Sequence, residues 1–122
     1  MQSLLLIMLG SALGGGLRYA LAELVIGTPE PGRFPWGILS VNLLGCFLLG
    51  FLSQTTPSPS MKQFWGSGVA GGFTTYSTYN AQTVALFSFS PPLACLYLVV
   101  TLTGGLTAHQ LGAQLALFVT RS

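Results

Sequence analysis

Between Gly68 and Asn80 an apolar stretch gives way to Gly71-Gly72-Phe73-Thr74-Thr75-Tyr76-Ser77-Thr78-Tyr79, a run of glycines, hydroxyls and aromatic rings. Such a run makes poor lipid-facing helix. Glycine costs about 1 kcal/mol per residue relative to alanine, and serine and threonine divert hydrogen bonds from the ladder. A break here would release backbone carbonyls, which bind cations. It would also start a half-helix whose positive N-terminal end favours anions. The alternative is a kinked helix with its hydroxyls bonded back onto its own backbone. Phe73, Tyr76 and Tyr79 recur every three residues, which sets their rings near one face, with Thr75 and Thr78 on another. Aromatic rings carry a positive edge. Ring edges beside hydroxyl donors could replace an anion's hydration without a fixed charge, and a fixed charge would hold the ion too tightly for throughput.

Other polar groups stand in apolar surroundings. Asn42 lies within Val41-Asn42-Leu43-Leu44-Gly45, and a buried amide needs partners, either across a helix interface or along a polar path. Tyr97, Thr101 and Gly105 follow at i, i+4 and i+8, which is one helix face. Arg18 admits two readings: concentrating anions at a pore mouth, or snorkelling to the interface and bonding a neighbouring helix end. His109, a lone imidazole on a face of small residues, is expected to be packed or interfacial rather than a proton relay. Cys46 and Cys95 have no CxxC or Cys/His spacing and read as small apolar filler, not as a zinc or redox pair.

The elements that position these groups must lie in a bilayer. Of 122 residues 51% are hydrophobic and 5% charged, with a mean hydropathy of +0.69. Six charges cannot cover a water-facing globule of this length. Soluble enzymes, disordered regulators and nucleic-acid binders are excluded, because four scattered bases form no phosphate-neutralising patch. Stretches free of Asp, Glu, Lys and Arg run over residues 1–17, 34–61 and 63–120. A spanning helix needs roughly 20 apolar residues, so the last stretch holds two spans with a hairpin at Phe87-Ser88-Phe89-Ser90-Pro91-Pro92. Earlier breaks fall at Thr28-Pro29-Glu30-Pro31-Gly32 and Gln54-Thr55-Thr56-Pro57-Ser58-Pro59-Ser60. The expected fold is a single all-α membrane domain over residues 1–122, with spans near 3–26, 36–53, 62–87 and 92–119. The first span lacks a basic n-region and is expected to stay in place rather than be cleaved as a signal peptide.

Four spans set Lys62 and Arg121 on one side, against Arg33 and Arg18 towards the other. This balance carries almost no positive-inside signal. Two readings follow: insertion in both orientations, with opposed copies pairing about an axis in the membrane plane, or an orientation fixed by a partner or a local cue. Gly10 and Gly14, and Gly104, Ala108 and Gly112, give small-xxx-small steps for close helix packing.

Together these segments resemble the Fluc (CrcB) family of fluoride ion channels. The resemblance rests on Gly14-Gly15-Gly16-Leu17-Arg18-Tyr19, Gly37-Ile38-Leu39-Ser40-Val41-Asn42-Leu43-Leu44-Gly45, the Gly71–Tyr79 run, and Tyr97-x3-Thr101-x3-Gly105-x2-Ala108-x3-Gly112. It covers nearly the whole chain, and the third-segment motif is its most specific part. It implies a broken third helix and an antiparallel, dual-topology dimer with two fluoride pores in the cell (inner) membrane. It also implies a structural Na+ held by backbone carbonyls that map to Gly71 and Thr74. Asn42 would be a vestibule donor, Tyr76 and Tyr79 would take the place of the family's two pore phenylalanines, and Ser77, Thr78, Tyr97 and Thr101 would form a hydroxyl track. Gln82 stands where the family usually has an acidic residue. These departures leave room for a degenerate subunit that works beside a homologue. A small multidrug-type dual-topology transporter is the other alternative, but it needs a carboxylate deep in the first span, where this chain has Gly14 and, near the span's end, Glu23.

Overall fold

A computed structural model describes residues 2–27, 32–55 and 58–121. The described residues form helices and no strand. Helix α1 (Gln2–Tyr19) continues as a π-helical stretch, Ala20–Ile26. α2 is Trp36–Thr55. The third segment begins with α3 (Pro59–Lys62), widens into a π-helical stretch over Gln63–Ala70, and tightens into α4 (Gly71–Phe73). It resumes after an extended joint as α5 (Tyr76–Phe89), and α6 is Pro91–Arg121. Among the described residues three helices are long and apolar enough to cross a membrane: Gln2–Leu24, Trp36–Thr55 and Pro91–Arg121. The third expected span is divided, and no piece of it reaches that length.

The ends of the elements follow local chemistry. Ser90 alone separates α5 from α6, with an extended backbone (φ −156°, ψ 98°). Its N–H closes α5 on Leu86 O at 2.7 Å, while its carbonyl and hydroxyl accept from Ala94 N at 3.0 Å and Leu93 N at 3.4 Å. Pro91 and Pro92 occupy the first turn of α6, where the missing N–H groups have no ladder partner to lose. The expected hairpin is therefore one residue long. Of the two earlier breaks, Thr28–Pro31 and Thr56–Pro57 lie outside the described residues. At the described edge of the first, Gly32 has φ +83°, a conformation that favours glycine. Its α-carbon faces the Phe89 ring, which a Cβ would meet at 3.1 Å.

Helix packing is set by glycine. A Cβ on Gly10 would lie 2.8 Å from Gly68 Cα, and one on Gly14 would lie 2.7 Å from Phe73 N. The small-xxx-small step of α1 thus seats the third segment backbone to backbone. Gly50 and Gly112 do the same between α2 and α6, against His109 and Phe47 backbone. In lipid, where apolar side chains gain nothing from meeting one another, such close approach is the main source of helix affinity. Gly14→Val is expected to destabilise the folded protein by about 1–3 kcal/mol through overpacking, read as a lowered melting temperature in detergent. Leu106, 77% exposed and one position past Gly105, is expected to tolerate Val. The outward faces carry Leu5, Leu24, Leu102 and Phe118. Trp36 and Trp65, exposed near opposite ends of the helices, suit the two interfacial aromatic belts. The chain is a multi-pass membrane protein.

Candidate functional site

The ladder stops at Thr74, whose N–H and hydroxyl both donate to Ala70 O, at 3.0 and 3.1 Å. Thr74 (φ −79°, ψ 158°) and Thr75 (φ −145°, ψ 122°) are extended. Irregular backbone at membrane depth survives only when its polar groups find other partners, and Asn42 supplies them. Thr75 N–H donates to Asn42 Oδ1 at 2.9 Å, and Asn42 Nδ2 donates to Thr75 O at 3.2 Å. One carboxamide thereby serves both main-chain groups of one residue, as a paired strand would. The opposite polarity of the two bonds fixes which end of the amide is oxygen.

Thr75 then caps α5. Its Oγ1 accepts from Thr78 N at 3.3 Å, contacts Thr78 Oγ1 at 3.2 Å, and lies 3.5 Å from Ser77 Oγ. The cap satisfies an orphan donor of the new helix. In an unbroken helix the N–H groups of Thr75 and Thr78 would bond the carbonyls of Gly71 and Thr74. Here they go to Asn42 and to the Thr75 hydroxyl. Gly71 and Thr74 both line a cavity of about 660 Å³, and the Thr74 methyl seats over Gly45 of α2.

The cavity joins many of the polar groups singled out in the sequence. Asn42, Thr74, Thr75, Tyr76, Tyr79 and Thr101 line it, with Gly105. Thr101 faces Tyr79, and its buried Oγ1 makes no hydrogen bond of ordinary geometry among the described residues. Ser77, Thr78, Tyr97, Gln82 and Arg18 are not on its wall. Ser77 and Thr78 serve the cap. Tyr97 is fully buried and donates to Gln82 Oε1 at 3.0 Å, so its hydroxyl joins α6 to α5. Arg18 lies against Gly15, with Nη2 3.8 Å from where a Cβ would sit, and its buried Nε has no partner among the described residues.

Aromatic rings form a chain leading from the cavity. Centroids of Tyr76 and Tyr79 are 6.2 Å apart, Tyr79 and Tyr97 5.1 Å, Tyr97 and Phe34 5.4 Å, and Phe34 and Trp36 4.7 Å. The Tyr79–Tyr97 and Tyr97–Phe34 contacts are edge-on, the arrangement ring quadrupoles prefer. Phe73 does not share the face of Tyr76 and Tyr79. The extended joint between them breaks the helical register: Tyr76 and Tyr79 line the cavity and Phe73 does not, although Phe73 and Tyr79 belong to the same buried core. Sequence reasoning also passed over His109, Cys46 and Ser67 as cavity lining. For His109 the signal was present, since Tyr97, Thr101 and Gly105 extended by one more turn reach it.

The family model for CrcB-like protein, Camphor Resistance (CrcB), matches residues 5–113. The chain belongs to the CrcB family. Among CrcB relatives, the Fluoride-specific ion channel FluC 1 of Desulfitobacterium hafniense is 38% identical over 115 residues, covering 89% of this chain and 98% of the relative. The Fluoride-specific ion channel FluC of Xylella fastidiosa is 39% identical over 97% of this chain and 86% of its own. That of Methanopyrus kandleri is 39% identical over 88% and 83%. The match to the CrcB model takes in α1, α2, the broken third segment and all of α6 except its last residues, so every wall of the cavity lies within it.

Proposed function

We propose that this chain is a fluoride-specific channel that passively exports cytoplasmic fluoride across the cell (inner) membrane and so relieves fluoride toxicity. The observation that carries the reading is the Thr74–Thr75 break, clamped by Asn42 and opening on a cavity that holds Tyr76, Tyr79 and Thr101. The names of the relatives agree with it. Fluoride enters cells as neutral HF at acid pH and dissociates inside, where the anion is trapped. An inside-negative membrane drives that anion out by about 2.3 kcal/mol per 100 mV, so a selective pore suffices and no catalytic machinery is required.

The working unit in this reading is a pair of antiparallel copies with two pores. The near-balance of Arg18 and Arg33 against Lys62 and Arg121 supports dual insertion. Gly71 and Thr74 line the cavity, and their carbonyls, relieved of the ladder donors Thr75 N–H and Thr78 N–H, would suit a hard cation that prefers oxygen ligands. Na+ held there would pin the two breaks together as a structural element. Tyr76 and Tyr79 present ring edges to the passing ion, and Asn42 Nδ2 has a second hydrogen for it beyond the one given to Thr75.

The purified protein in liposomes is expected to release fluoride and retain chloride. Release no faster than from empty liposomes would remove the homomeric channel. The second reading, a subunit that conducts only beside a homologue, would then be tested by co-reconstitution. Its motive is Tyr76, which lines the cavity and bears a hydroxyl where the family's phenylalanine has a plain ring. The multidrug-type alternative lacks an acidic group at the cavity: among the described residues no carboxylate lines it, and Glu23 belongs to the π-helical end of α1.

A further inference from the structure

His109 is placed where an isolated core histidine would not be. Its backbone carbonyl packs on Gly50 of α2, and its residue lines the same cavity as Asn42, Thr101 and Tyr76. It stands two helical turns beyond Thr101, about 12 Å along α6. Side chains of a helix lean towards its N-terminus, the direction in which Gly105 and Thr101 lie along α6. Cys46 Sγ rests 3.4 Å from a Cβ placed at Gly105, so the wall between His109 and Thr101 is uncharged. Among the described residues no Asp, Glu, Lys or Arg lines the cavity. The titratable neighbours are Cys46 from α2 and Tyr76 and Tyr79 from α5, and the π-helical wall contributes only Gly66, Ser67 and Ala70. Of these groups only an imidazole can take up a proton to become a cation.

We propose that His109 is a proton-controlled anion collector, whose imidazolium raises the occupancy of the cavity by anions approaching the Thr74–Thr75 break. The proposal rests on the fluoride-channel reading and adds a regulated entry step to it. A single positive charge in a cavity without counter-charge attracts an anion over this distance, and its removal at higher pH lowers the local anion concentration. The position suits a modulator: the charge sits two turns of α6 beyond Thr101, so it gathers ions without holding them at the break.

The test is the fluoride current across a planar bilayer containing the intact protein, at about pH 6 and about pH 7.5 on both sides. Current is the right readout because HF is neutral and contributes none. The wild-type current is expected to be roughly three- to tenfold larger at the lower pH. In His109→Gln the ratio is expected to fall to about one, and His109→Asn provides the same comparison should the first variant fail to assemble. A wild-type ratio near one overturns the proposal and leaves the channel reading standing. So does an undiminished ratio in the variant. Absence of current at both pH values removes the channel reading, and this proposal with it.

Discussion

Asn42→Asp is expected to reduce fluoride flux at least about tenfold in the liposome assay. A carboxylate about 4 Å from a passing anion opposes it by about 4 kcal/mol at an effective dielectric near 20, far more than tenfold requires. The substitution also reverses one half of the clamp. Aspartate can still accept from Thr75 N–H, but it turns an oxygen towards Thr75 O where Asn42 Nδ2 now donates at 3.2 Å. Asn42→Ala separates the two effects. It removes both bonds and introduces no charge, leaving the Thr75 main chain unpaired at a cost of about 1–3 kcal/mol. A drop in melting temperature with partial flux is therefore expected of alanine, and loss of flux with a smaller drop of aspartate. Unchanged flux in Asn42→Asp would make Asn42 a clamp only, with no place in the ion path.

The second large effect is expected at Tyr76. Because it is 75% exposed while Tyr79 is 4% exposed, changing it removes little packing, and any loss of flux reports on the ion rather than on folding. Tyr76→Ile replaces a ring with a positive edge by an aliphatic chain with none. Flux should fall at least about tenfold, the loss of favourable contacts for an ion stripped of water. Tyr76→Phe keeps the edge and deletes only the hydroxyl, so its flux should stay within about threefold of wild type. Equal rates in Tyr76→Ile and wild type would remove the ring from the mechanism. A gain in Tyr76→Phe would identify the hydroxyl as an obstruction.

The long elements were legible because their lengths are dictated by the bilayer. Residues expected near 36–53 and 92–119 form Trp36–Thr55 and Pro91–Arg121, and the paired prolines marked where one helix ends and the next begins. A break in the third segment was also legible from its weak helix formers, but its position was not. The weak run from Gly68 to Asn80 set no exact position, and Gly71 and Gly72 within it are helical. Gly72 is small because Ser11 of α1 lies against it, 2.7 Å from Cα to a would-be Cβ. The joint falls at Thr74–Thr75 because Asn42, distant in sequence, offers replacement bonds there. No local propensity encodes a partner 33 positions away. Tyr97 lies off the cavity wall for a similar reason. Its spacing with Thr101 is that of one face, but a Gln82 acceptor on a different helix draws its hydroxyl out of the cavity.

With 31 residues, α6 is about 46 Å long, whereas the hydrocarbon slab is about 30 Å thick. An upright rod of that length overshoots, so α6 must slant or push its final turns, with Arg121, among the lipid headgroups. Acyl-chain length then becomes a lever on the pitch of the strut that carries Tyr97, Thr101 and His109.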